Sequence, residues 1–126
     1  MTENEIASIV IDRALYIHRL IGPGLLESAY ESVLFFELMS AGLVVERQVL
    51  IPLVWESFTI EAAFRADLIV NSKVIVEIKS LEKLAPVHKK QLLTYLRLAD
   101  MRLGILLNFG GNLMRDGIER VINGVI

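Results

Sequence analysis

Asp67, Glu77 and Lys79 are the residues of this 126-residue chain whose types and spacing could do chemistry. They lie in two short stretches, Phe64–Val70 and Val74–Lys79, that read as the arms of a hairpin around Asn71-Ser72-Lys73. Side chains alternate along a strand, so Phe64, Ala66, Leu68 and Val70 share one face of the first arm, while Arg65, Asp67 and Ile69 share the other. On the second arm Val74, Val76 and Ile78 oppose Ile75, Glu77 and Lys79 in the same way. If both apolar sets face the core, even-numbered residues pair with even-numbered ones, and a three-residue loop satisfies that rule. Leu68 then lies opposite Val76, Asp67 opposite Glu77 and Arg65 opposite Lys79. Two carboxylates set face to face repel, so such a pair shares a proton, meets a cation or binds a metal. Hard oxygen ligands of this kind suit Mg²⁺ or Mn²⁺. Lys79 would then stabilise or orient a water or phosphate oxygen beside the ion. Spacing alone leaves a second reading open, a solvated hairpin face on which Arg65 pairs with Asp67 and Glu77 with Lys79.

The elements that must position this hairpin are legible on both sides of it. Thr2-Glu3-Asn4-Glu5 has capping-box spacing, and Ile6, Ile9, Val10, Arg13, Ala14 and Ile17 follow at near-helical intervals, which predicts a first helix over Glu3–Ile21. Gly22-Pro23-Gly24 interrupts it, and a second helix runs from about Leu25 to Met39 with Gly42 as its stop. Gly22-Pro23-Gly24 is an interhelical turn rather than a phosphate loop, because no strand precedes it and no Gly-Lys-Ser/Thr follows. The period then changes to that of strands over Val44–Trp55, Phe58–Ala63, Phe64–Val70 and Val74–Lys79, with a turn at Glu56-Ser57. Pro86 opens a third helix to about Ala99, Arg102–Phe109 is a buried strand, and Gly117–Ile122 is a last short one. The order ααββββαβ(β) is an α+β or α/β fold, a mixed sheet flanked by helices, in a single domain over residues 1–126.

Composition narrows the function classes. The chain is 54% hydrophobic and 22% charged with a net charge of −2, and its mean hydropathy of +0.54 exceeds what one core of this size needs. The surplus apolar surface points to a partner interface, with a homo-oligomer the expected form. No uncharged apolar run approaches the roughly 18 residues of a membrane helix. The opening MTENEIASIV lacks the features of a signal peptide, and the cytoplasm is the expected compartment. The absence of cysteine excludes disulfides, thiolate metal sites and cysteine nucleophiles. His18 and His88 have no partner at metal-ligand spacing and read as structural. Lys79–Arg102 holds six basic residues against two acidic ones, a net +4 that leaves the rest of the chain at −6. That segment is either a phosphate-attracting patch or simply the solvated face of a helix.

Asp67 followed after a hairpin by Glu77-Ile78-Lys79 resembles the D…(D/E)-x-K core of the PD-(D/E)XK nuclease superfamily. Gly24-Leu25-Leu26-Glu27-Ser28-Ala29-Tyr30, and Gln91 four residues before Tyr95, are similar to its GxxExxY-type family over roughly residues 6–122. The resemblance implies a Mg²⁺- or Mn²⁺-dependent nuclease acting on nucleic-acid phosphodiesters. It implies Asp67, Glu77 and the Ile78 carbonyl as metal ligands, Lys79 as the catalytic lysine and Glu27 as the helix acid that faces the metal site or orients its water. Glu27 also has a plainer reading, a carboxylate favoured near a helix N-terminus. Gln91 and Tyr95 share one helix face and resemble the Gln-x-x-x-Tyr element that orients the site and touches nucleic acid; alternatively they form a stripe packed on the sheet. Lys89, Lys90 and Arg97 of the same helix are the expected phosphate contacts. Ala66 stands where the superfamily motif often has proline, which leaves the metal-binding carboxylate intact. The rival expectation is a non-catalytic module on the same fold that binds nucleic acid or a protein partner.

Overall fold

The computed structural model describes residues 1–126. Helix α1 spans Glu3–Ile21 and α2 Glu27–Ser40; strands β1 Val45–Trp55, β2 Phe58–Val70 and β3 Val74–Lys79 follow; then come α3 Pro86–Ala99, β4 Leu103–Asn108, a 3₁₀ turn Met114–Gly117 and β5 Ile118–Ile122. The strands form one mixed sheet in the order β1-β2-β3-β4-β5, antiparallel except for β3 against β4. That parallel pair needs a crossover, and α3 supplies it. No helix is long and apolar enough to cross a membrane.

Helices cover both faces of the sheet. Ile6, Val10, Ala14 and Ile17 of α1 and Tyr30, Leu34 and Leu38 of α2 pack with Leu68, Val70, Val74, Val76, Ile78, Ile105 and Leu107 on one side. Leu92 and Leu96 of α3 pack with Ala66, Ile69, Ile75 and Leu106 on the other. Strands buried on both faces must be apolar at nearly every position, which is why Val74–Ile78 and Leu103–Leu107 read as near-continuous hydrophobic runs. α1 starts in the expected capping box, with Thr2 Oγ1 accepting from the Glu5 amide and Glu5 Oε1 accepting from that of Thr2. α2 starts at Glu27, and its Tyr30, fully buried and stacked on Phe109 at 4.5 Å, donates its hydroxyl to Gly22 O and accepts from the Leu25 amide. The Gly22–Leu26 turn is thereby tied to the helix it introduces.

Two expectations about the strands are corrected. Phe58–Ala63 and Phe64–Val70 are one thirteen-residue strand, because no Gly, Pro or turn former separates Ala63 from Phe64; the order is ααβββαββ. The even-numbered residues of β2 do not share one face either. Leu68 and Val70 face α1 and α2, whereas Phe64 and Ala66 lie on the α3 side. The face changes at Asp67, across from Gln48 of β1, whose φ of +50° interrupts the regular pleat. The Asn71-Ser72-Lys73 loop and the Leu68–Val76 pairing are as the hydrophobic pattern requires.

Candidate active site

The β2–β3 ladder pairs Val70 with Val74, Ile69 with Ile75 and Leu68 with Val76, and then stops. Asp67 and Glu77, next in line, take over with side chains: Glu77 Oε2 accepts the Asp67 amide at 2.9 Å, and Asp67 Oδ2 accepts the Ile78 amide at 2.8 Å. Neither of the expected backbone pairings beyond Leu68–Val76, Asp67 with Glu77 and Arg65 with Lys79, belongs to the ladder; the crossed side-chain bonds stand in its place. The amide and carbonyl of one strand residue point the same way, so the Ile78 carbonyl opens towards Asp67 as its amide does.

Glu77 is only 7% exposed, and this isolation governs its charge. Burial, then the Asp67 carboxylate, push the Glu77 carboxyl up to about 8, against the opposing pull of the Asp67 amide and Lys79. At neutral pH without a cation Glu77 therefore holds its proton, and a divalent ion would replace it. Lys79 is half-buried at the end of β3, beside Asn108 of β4, and forms no ion pair. Asn108 fixes the chain beyond it: Oδ1 accepts from the Leu81 and Gly110 amides, and Nδ2 donates to Leu81 O. A Cβ at Gly110 would sit 2.2 Å from that carbonyl, so the approach requires glycine.

Glu27, at the first position of α2, reaches this same loop, its Oε2 accepting the Ser80 amide at 3.2 Å while Ser80 Oγ donates to Leu25 O. With Ser28, Glu31, Gln48 and Asp67 it lines a hollow of about 320 Å³. From the opposite side of the sheet, Tyr95 of α3 stacks on Phe64 at 3.8 Å with ring planes 6° apart. Burial pushes its hydroxyl up, and the Glu77 and Asp67 carboxylates add to the shift, which puts Tyr95 within their electrostatic reach. Gln91, one turn earlier, is exposed, and its side chain makes no hydrogen bond. Lys90 and Arg97 are exposed and unpaired, whereas Lys89 meets Glu119 of β5 at 3.6 Å. The histidines are structural: His18 bonds Gly111 O, and His88 Nδ1 accepts the Ala85 amide at the start of α3.

Two polar residues of the hollow, Glu31 and Gln48, escape sequence reading. Glu31 is buried, with Arg47 Nε donating to Oε2 at 3.1 Å and the Gln48 amide donating to Oε1; that amide also reaches Asp67 Oδ1 at 3.3 Å. The available signal was the four-residue spacing of Glu27 and Glu31, which puts both on one helix face.

The donor set fits a hard divalent ion. Asp67 and Glu77 each use one oxygen on a backbone amide and keep lone pairs, and the Ile78 carbonyl opens on the same gap. No three acidic or histidine side chains converge within reach of one ion, but Mg²⁺ commonly takes only one or two carboxylates and retains several waters.

Searches of curated proteins and of solved structures return no significant match. A family model does match, covering residues 4–121 and hence both helices of the first layer, the hairpin with Asp67 and Glu77, and α3 with Gln91 and Tyr95. The chain belongs to the PD-(D/E)XK nuclease superfamily.

Proposed function

We propose that the chain is a GxxExxY-type, Mg²⁺- or Mn²⁺-dependent nuclease that hydrolyses nucleic-acid phosphodiesters, within one domain over residues 1–126. The observation that carries the reading is the crossed pair itself, two carboxylates at the open end of β2 and β3 with Lys79 two residues beyond Glu77 on the same strand. Asp67, Glu77 and the Ile78 carbonyl would hold the ion. Bound there, it supplies Lewis acidity to a phosphoryl oxygen and a water of lowered pKa. The Lys79 ammonium adds positive charge where negative charge grows during displacement. Glu27 keeps one carboxylate oxygen free of the Ser80 amide and accepts a hydrogen from the attacking water, which aligns it. Tyr95, fixed by its stack on Phe64, and Gln91 contact the nucleic acid and orient it over the pair. Lys90 and Arg97, with Lys89 when it leaves Glu119, neutralise backbone phosphates.

One observation favours a second reading, a non-catalytic nuclease-fold module that binds nucleic acid or a protein partner: no third acid closes on the Asp67–Glu77 pair. Cleavage of DNA and RNA with and without Mg²⁺ or Mn²⁺, for wild type and Lys79→Ala, separates the two. Metal-dependent cleavage that falls on the order of 10²–10³-fold in Lys79→Ala supports the nuclease. Cleavage that persists equally in the variant marks a contaminant, and binding without cleavage marks the module. Self-association belongs to the same reading, supported by the exposed Val54, Trp55, Phe58 and Ile60 of the β1–β2 hairpin. Light scattering on the purified chain gives its oligomeric state.

A further inference from the structure

Gln48 lies across from Asp67, for its neighbours Arg47 and Val49 pair with Leu68 and Ala66. Its φ of +50° is in the left-handed region, where a residue other than glycine is strained and persists only if its surroundings compensate. The compensation is on its side chain: the amide nitrogen donates to Glu31 Oε1 and to Asp67 Oδ1. Both partners are carboxylates, which accept hydrogen bonds when ionised, so the nitrogen and not the oxygen of the amide must face them. Glu31 is buried and is anchored in turn by Arg47, which lies over the Phe35 ring at 5.1 Å and reaches Ser32 Oγ at 2.8 Å. A continuous chain thus runs from Arg47 through Glu31 and Gln48 to Asp67 and the Ile78 amide. At its end both Asp67 oxygens are held, Oδ1 by Gln48 and Oδ2 by Ile78, and each still has a lone pair for a cation.

We propose that Gln48 is a positioning residue, set at a strained backbone position and backed by buried Glu31, whose amide orients the Asp67 carboxylate for a divalent ion. The inference rests on the metal-site reading above. An amide suits the place because it is neutral and has two hydrogens, one for each carboxylate. A carboxylate there would add a third negative charge, and an apolar side chain would leave Oδ1 of Asp67 unheld. Groups that hold a metal ligand in place without touching the ion commonly change metal affinity by about 10–100-fold when removed.

The test is calorimetric titration with MnCl₂ of wild type, Gln48→Met and Gln48→Gly, with thermal melts of all three in metal-free buffer. Gln48→Met keeps the bulk and loses the donors. Gln48→Gly also loses them but adopts the left-handed backbone without strain, so backbone geometry is preserved. The expected result is Mn²⁺ affinity weakened about tenfold or more in both variants, with both still folded at the titration temperature and Gln48→Gly, which relieves the backbone strain, melting above Gln48→Met. Wild-type affinity in both variants overturns the proposal while leaving the metal site standing. An affinity loss found only in a variant that is already unfolding at the titration temperature also overturns it, since Gln48 is then a structural residue. Wild type that binds no Mn²⁺ brings down the metal-site reading and this inference together.

Discussion

The two ends of β2 have similar sequences and opposite surroundings. Leu68, Ile69 and Val70 at the inner end are buried between helical layers, while Phe58, Thr59 and Ile60 at the outer end extend with β1 past β3 and are exposed, Phe58 by 62% and its partner Trp55 by 65%. Asp67 stands where these regimes meet, at the first position beyond the end of the ladder with β3. At such a boundary a strand has lost its neighbour on one edge but is still shielded above and below. Side chains can there replace backbone hydrogen bonds, and carboxylates can be desolvated without being sealed off. The crossed Asp67–Glu77 arrangement uses that opening, and neither end of the strand alone would provide it.

The contrast is tested most strongly by truncation. Leu68→Ala at the inner end should cost about 2–5 kcal/mol, as a cavity in a packed core usually does. Phe58→Ser at the outer end should stay within about 0.5 kcal/mol, as an exposed residue does. Denaturant unfolding of both variants measures this, and equal losses would show that the outer end is buried in solution, by a second copy or another partner.

The next effect is in pH. The Glu77 carboxyl is raised from an ordinary 4.5 to about 8 in the folded chain, so the stability it contributes is fully present below about 4.5 and is lost as pH rises through about 8. Metal-free wild type should therefore weaken over this window by a few kcal/mol, and Glu77→Gln should flatten the dependence. Melts across the window decide it; a variant whose profile parallels the wild type would show that Glu77 is not the group responsible.

How much of this was legible depended on whether a signal was local. The hairpin loop, the Leu68–Val76 register and the core-facing set Val74, Val76 and Ile78 follow from hydrophobic alternation around Asn71-Ser72-Lys73, and the structure has all three, whereas the burial of Ile75 and Glu77 on the other face does not follow from it. The change of face at Asp67 was not legible, because Phe64, Ala66, Leu68 and Val70 continue the alternation unbroken. Its counterpart is the left-handed backbone of Gln48, and glutamine carries no preference for that conformation. The continuity of the strand from Phe58 to Val70 was not legible in the hydrophobic pattern, because its outer half lacks a core-facing alternation, although nothing in it turns the chain. Glu31 was not legible as part of the site, because the partners that hold it, Arg47 and Gln48, are distant in sequence.

The smallest effect concerns α3, away from the β2 boundary. Lys90 is exposed and unpaired, while Lys89 is engaged with Glu119. Removing one cation that neutralises a phosphate should lower the slope of log affinity against log salt by about one, so Lys90→Ala should show that change and Lys89→Ala a smaller one. A salt series with a short duplex and a single strand reads it. Unchanged slopes in both would remove α3 from the nucleic-acid surface.

The claim that the inner boundary of β2 is built for a cation is tested most directly by thermal melting with and without Mg²⁺ or Mn²⁺, for wild type and Asp67→Asn. An ion that binds only the folded state stabilises it by about 2.7 kcal/mol at a hundredfold excess over Kd. The expected result is a wild-type melting temperature that climbs with metal concentration and an Asp67→Asn temperature that barely moves. Wild type and variant equally unmoved at millimolar metal would contradict the claim and leave the crossed carboxylates as a structural pair sharing a proton.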